Sequence, residues 1–226
     1  IGTDAAKEFS KVSSKFAAKD QEKMLSLIKE ILLDPVCNVA EFEKETSSLL
    51  VGLEQQKESP RAVISNYFDK ILYGNHVYGN EIQGNNASVE KLTVDDVKLF
   101  YNTNYKPNQA AISIVGYFTT KEMKSKLTAL FSKWKKSENE SENLATKSIA
   151  YPAENSVMLV NKEDAKETTF YIGAKGVPRN NPDFVAIEVI NTLFGGRFTS
   201  MLNDELRVNT GLTYGAGSKF KICVFG

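Results

Sequence analysis

LFGGRFTSMLNDELRVNTGLTY, residues 193–214, is the stretch from which the rest of this chain is best understood. Gly195-Gly196 breaks a helix that carries Phe184, Ile187 and Ile190 and is opened by Asn181-Pro182. Met201, Leu202 and Leu206 then mark a second helix, stopped at Gly211, where glycine can take the left-handed geometry of a helix end. Thr213–Val224 reads as a strand. Arg207 falls in the last turn of the second helix, where its charge suits the negative end of the dipole and its fork of donors can meet a carbonyl or carboxylate. Tyr214 falls just inside the strand, and its phenol is a donor of the kind that stabilises a developing oxyanion in a dry cleft. Alone, a helix-end Arg is usually a solvated charge and a strand Tyr is usually core; the surrounding residues make the pair a functional candidate.

Working outward, Ser156–Asn161 and Thr168–Val177 look like paired strands. Upstream of them, Lys135 to Thr146 is rich in Lys, Ser, Glu and Asn and nearly devoid of apolar residues, the composition of an exposed linker. The expected organisation is therefore a first unit at 1–138, a linker at 139–150 and a second unit at 151–226. In the first unit, Met24, Leu27, Ile28 and Ile31 recur at helical spacing, with Asp20 able to cap the start. A second helix opens at Asn38, with Glu41 at capping-box spacing, and carries Phe42, Leu49, Leu50 and Leu53 toward Pro60. A third carries Val63, Ile64, Tyr67, Phe68 and Ile71 and ends at Gly74. Asn75 to Asn86, rich in Gly and Asn, is expected to be a surface loop. Thr93 caps a short helix with Val97, Phe100 and Tyr101; Ala110–Phe118 is a continuous apolar run expected to be a buried strand; Thr119 and Glu122 open a helix with Met123, Leu127, Leu130, Phe131 and Trp134 on one face. Helices and hairpin-like strands without regular βαβ alternation predict an α+β fold with largely antiparallel sheets.

Composition excludes several function classes. Lys plus Arg and Asp plus Glu both total 28, so a zero net charge offers no footprint for nucleic acid or an anionic membrane. Cys37 and Cys223 form no CxxC or Cys/His spacing and are expected to be buried free thiols. No apolar run approaches the ~18 residues of a membrane span. The start at Ile1 and the end at Gly226 inside a strand-like run suggest cut termini, and the expected setting is soluble, periplasmic or secreted if the source is bacterial. Gly195-Gly196 is not followed by Gly-Lys-Ser/Thr, so it is no phosphate loop; Thr199 and Ser200 lack a neighbouring base, and no GxSxG elbow exists.

The 193–214 stretch resembles the second-domain motif of the pitrilysin/insulinase-like zinc metallopeptidases, the family that includes the mitochondrial-processing-peptidase-like proteins: a Gly-Gly turn, a helix ending in Leu-Arg, then Gly-Leu-x-Tyr. A second resemblance follows the first-domain order of that family through FEKE at 42–45, QQKESP at 55–60, HVYG at 76–79, SVEKLT at 88–93, YKPN at 105–108, IVG at 114–116 and the helix ending at Trp134. The resemblance implies the back half of one repeat, a linker and the front half of the next. It also implies that Arg207 and Tyr214 bind the backbone of a peptide substrate and orient it against zinc held by another domain.

Metal ligation departs from that pattern. Active members carry H-x-x-E-H, two imidazoles and a general base, plus a later Glu ligand. This chain has no such motif and a single histidine, His76, and alignment from FEKE or from Pro60 puts Gly52 where the Glu ligand should stand. Val77 replaces the Pro of the family's His-Pro-Tyr-Gly loop, and His76 is expected to hydrogen-bond locally. Glu43 and Glu45, at i and i+2, face different directions and do not make a joint site. The expected protein is of the non-catalytic, inactive-domain type: no catalytic residue and no metal ligand of its own, with zinc supplied by a homologous partner subunit or domain. Its expected partners are a peptide or unfolded protein and, through uncovered apolar faces, a second copy of itself. The alternatives are a structural scaffold like the respiratory-complex core subunits that resemble these peptidases, or one part of an active single-chain zinc peptidase.

Overall fold

A computed structural model describes residues 1–137 and 149–221. The chain divides at Phe170/Tyr171 into two compact units. The linker expected at 139–150 lies almost wholly outside the described residues. The regular elements of the described residues are helices apart from one sheet, an antiparallel hairpin, so the fold is α+β in the broad sense.

The first unit begins with that hairpin, β1 (Gly2–Ala5) and β2 (Ser10–Ser13), in the register Gly2↔Ser13 to Ala5↔Ser10. Nothing in its composition announces it: the strands are almost entirely exposed and carry no apolar alternation. Its four-residue turn delivers Lys7 and Glu8 to the helices. Lys7 Nζ lies 2.6 Å from Asp69 Oδ2 and also donates to the Tyr78 carbonyl, while the Tyr78 hydroxyl donates to Glu8.

Five of the remaining elements are longer helices: α1 (Gln21–Leu33), α2 (Val39–Lys57), α3 (Pro60–Tyr73), α5 (Val94–Asn104) and α6 (Thr120–Phe131), with α4 (Asn86–Val89) a single turn. The caps follow local chemistry. Asn38 Oδ1 accepts from the amides of Ala40 and Glu41 at 2.9 and 3.2 Å. Thr93 and Asp96 form a full reciprocal box that holds the Asp96 carboxylate below its ordinary pKa, chiefly through the Thr93 side chain and then its backbone amide. Thr119 accepts from Glu122 N at 3.4 Å and donates its hydroxyl to the Glu122 carboxylate at 2.6 Å. Asp20, by contrast, makes no side-chain cap.

The inward face of α1 also differs from expectation. Leu25 is buried, whereas Leu27 and Ile31 are exposed. Apolar residues occupy most of this helix's circumference, so periodicity alone could not choose the face. The core is completed by Leu53, Tyr73, Tyr78, Val89 and Met123. Two side-chain bonds brace it: Tyr101 O–H donates to the Leu32 carbonyl at 2.7 Å, and Trp134 Nε1–H to the Tyr105 carbonyl at 3.1 Å.

The loop expected at the surface is instead packed over its first half. His76, Tyr78 and Gly79 are buried in and around a 3₁₀ turn, Val77–Gly79. Gly74 takes φ +53°, and a Cβ on Gly79 would stand 2.6 Å from the Gly74 carbonyl oxygen, so two glycines let this turn fold back on the end of α3. The expected strands differ more. Ala110–Phe118, Ser156–Asn161, Thr168–Val177 and the described part of Thr213–Val224 form no ladder. Val115 is 97% exposed rather than buried, as Leu159 (91%) and Ile172 (90%) are in their segments. An apolar run records a preference for burial; a strand also needs a neighbour to satisfy its amides and carbonyls, and none of the described segments supplies one.

The second unit holds α7 (Phe184–Phe194) and α8 (Met201–Asn203), the latter continuing into a π-helical turn, Asp204–Asn209. Asn181 accepts from the Asp183 amide at 2.8 Å just ahead of α7, and Gly195 ends that helix as expected.

Candidate functional site

The second unit brings Arg207 and Tyr214 together through a chain of local constraints. At the end of α7, the amides of Gly195 and Gly196 both donate to the Asn191 carbonyl, at 2.9 and 2.8 Å. The chain beyond Tyr214 then crosses this end. Ser218 N donates to the Gly195 carbonyl at 3.0 Å, and Ser218 O–H donates to Asn191 Oδ1 at 2.7 Å. A Cβ on Gly195 would lie 2.5 Å from the Ser218 nitrogen, so this crossing requires glycine.

Asn203 adds a second tie. It is 3% exposed; its Nδ2 donates to the Phe198 carbonyl, and its Oδ1 accepts from Ala216 N at 3.4 Å. One buried amide thereby links the segment before α8 to the segment after Tyr214. Such a group is costly to leave unpaired, so the tie defines both backbones.

Between these ties the helix was expected to run regularly to Gly211. It widens instead: Thr210 N reaches back five residues to the Glu205 carbonyl at 3.0 Å, and Leu212 and Thr213 N both donate to the Leu206 carbonyl, at 3.0 and 3.3 Å. Gly211, at φ +64°, reverses the chain. The reversal sets Tyr214 against Arg207. The guanidinium carbon is 4.5 Å from the Tyr214 ring centroid and 4.7 Å from that of Phe198, both within cation–π range.

Arg207 is half-buried, while Tyr214 is 82% and Phe198 67% exposed. Among the described residues no carboxylate pairs with Arg207, and its guanidinium lies over two rings, so its N–H donors are open to an acceptor. The arrangement presents a planar fork of donors and a phenol side by side on an exposed surface. A peptide carbonyl or carboxylate is the acceptor that such a pair suits.

Gly52 and His76 belong to the first unit. Gly52 sits within α2, and a Cβ built there would meet nothing within 4 Å. His76 is buried; its Nδ1 accepts from the Tyr78 amide at 3.2 Å and its ring meets the Tyr78 ring edge-on at 4.8 Å. Its chemistry is that of a turn cap. Glu43 and Glu45 lie exposed on α2. Among the described residues no three His, Cys, Asp or Glu side chains converge. These residues do not fit a catalytic zinc, which takes three protein ligands.

Phe198 and Asn203 were not singled out by sequence reasoning. Phe198 has no periodic relation to Arg207, and a lone Asn within a helix usually faces solvent; only the return of the 214–218 segment gives either a role.

Residues 91–222, more than half of the 226, match the family model described as the peptidase M16 inactive domain. The chain is 24% identical over 210 residues to an uncharacterized zinc protease of Mycobacterium leprae, covering 90% of this chain and 45% of the relative. It is 22% identical over 214 residues to the uncharacterized zinc protease YmxG of Bacillus subtilis, covering 95% and 51%. The chain thus spans about half the length of the curated relatives it matches. Among solved structures, the peptidase M16 inactive domain from Pseudomonas fluorescens superimposes with a TM-score of 0.71 at 23% identity, over 91% of this chain and 49% of that one. A protease from Helicobacter pylori gives 0.74 at 20% identity, over 90% and 49%. The pitrilysin-like resemblance of the motifs is upheld: this chain belongs to the peptidase M16 family, on the side of its inactive domain.

Proposed function

We propose that this chain is the substrate-binding, zinc-free component of a zinc metalloendopeptidase, clamping an extended peptide through Arg207 and Tyr214 for a metal-bearing partner domain or subunit. One observation carries the reading: the guanidinium and phenol stand together, 4.5 Å from guanidinium carbon to ring centroid, on an exposed face. Arg207 donates to a substrate carbonyl, Tyr214 donates beside it, and the two fix the backbone before any chemistry begins. Activation of water is the task of the partner's zinc. The same reading takes this chain as the back half of one repeat and the front half of the next, and a periplasmic or secreted setting and self-association go with it.

The test is cleavage of an unfolded protein by the full-length polypeptide combined with its zinc-bearing homologue. Replacing Arg207 with Ala and Tyr214 with Phe together should lower kcat/KM by about 100-fold, the scale of one lost oxyanion donor. Unchanged cleavage would overturn the clamp in favour of a scaffold. About one zinc retained per full-length polypeptide after desalting, the content of a catalytic site, would instead make the protein a single-chain peptidase.

A further inference from the structure

Phe198 is a large apolar side chain left 67% exposed, yet its backbone is among the better anchored in the second unit, because the buried Asn203 holds its carbonyl. Its ring lies 4.7 Å from the Arg207 guanidinium carbon, nearly as close as Tyr214 at 4.5 Å. The two rings differ in how they are held. Tyr214 belongs to the segment that follows the Gly211 reversal, whereas Phe198 precedes α8, on the same anchored stretch that leads into the Arg207 turn.

We propose that Phe198 is a positioning residue of the peptide clamp, acting through Arg207; this rests on the clamp reading above. A free Arg samples many rotamers, and a ligand that captures it must first order it. A guanidinium already seated over a ring has fewer positions to choose among, so part of the ordering cost is met before the peptide arrives. Phe198 need not touch the peptide to do this.

The experiment measures binding of a fluorescein-labelled, unfolded casein to the full-length polypeptide by fluorescence anisotropy, for the wild type, Phe198→Leu, Phe198→Tyr, Arg207→Ala and the Phe198→Leu/Arg207→Ala double variant. Leucine keeps apolar bulk but removes the π face; tyrosine keeps the face. Phe198→Leu should weaken binding roughly two- to five-fold, the factor carried by an exposed cation–π contact. Phe198→Tyr should restore it, and the double variant should be no weaker than Arg207→Ala, since the effect passes through that side chain. In parallel, the Arg207 Nε–Hε resonance should move in Phe198→Leu and return in Phe198→Tyr.

Weakened binding in Arg207→Ala with unchanged binding in Phe198→Leu would overturn the positioning role and leave the clamp standing. Additive losses in the double variant would overturn it too, by making Phe198 a direct contact. Arg207→Ala binding like the wild type would bring down the clamp and this role together.

Discussion

Each unit of the chain sets a cation beside a tyrosine, and the two cations are held in opposite ways. Lys7 lies 2.6 Å from the Asp69 carboxylate and also donates to the Tyr78 carbonyl; its side chain is 15% exposed and that of Asp69 10%. Arg207 is held by ring faces, and Tyr214 beside it is 82% exposed. The difference decides what each can do. A cation neutralised by a carboxylate and withdrawn from water has spent its donors on the fold. A guanidinium seated over rings, with no carboxylate partner among the described residues, keeps its N–H donors for a ligand.

The largest effect separating the two should come from Lys7→Met, which removes the cation 2.6 Å from the nearly buried Asp69 carboxylate. It should cost about 3 kcal/mol, the low end for breaking such a pair, read as a lowered urea midpoint. A cost under about 1 kcal/mol, the range of an exposed pair, would mean that Lys7 is a surface charge and erase the contrast. Asn203→Ala comes next, at about 2 kcal/mol, since it strips two backbone groups of a buried partner; hydrogen exchange at the Ala216 amide should accelerate with it. On the other side of the comparison, Arg207→Ala should cost no more than about 1 kcal/mol, the range of exposed cation–π contacts, while abolishing the peptide binding proposed for it. A larger loss would make Arg207 as structural as Lys7. Gly52→Ala should raise stability by about 0.5–1 kcal/mol, because a mid-helix glycine gains helix propensity where a Cβ meets no neighbour.

The smallest effect concerns pH. Hydrogen bonds from Thr93 depress the Asp96 pKa in the folded state, so this box stabilises α5 above the unfolded value, near pH 4, and the contribution is lost as pH falls through the folded value. Thr93→Val should flatten the dependence of stability on pH in that acid range; an unchanged slope would show that the box contributes nothing there.

Legibility followed the range of the interaction. The caps at Asn38 and Thr93 and the stops at Gly74, Gly195 and Gly211 were readable, because each rests on residues close in sequence, and the same closeness marked Arg207 and Tyr214 as a candidate pair. The expected strands were not reproduced as ladders, since an apolar segment such as Ala110–Phe118 does not name its partner. The β1–β2 hairpin was invisible for the converse reason: its ladder and the reach of Lys7 to Asp69 hold it without apolar alternation.

By itself the sequence determined the longer helices, the caps at Asn38, Thr93 and Thr119 and the family motif, since these are matters of local propensity and residue identity. Only the tertiary structure decided that His76 is a buried turn cap, that α1 turns Leu25 inward, and that Asn203 binds two distant backbone segments so that Phe198 and Tyr214 flank Arg207. Those outcomes depend on which surfaces meet after the chain reverses, and no spacing rule encodes that meeting.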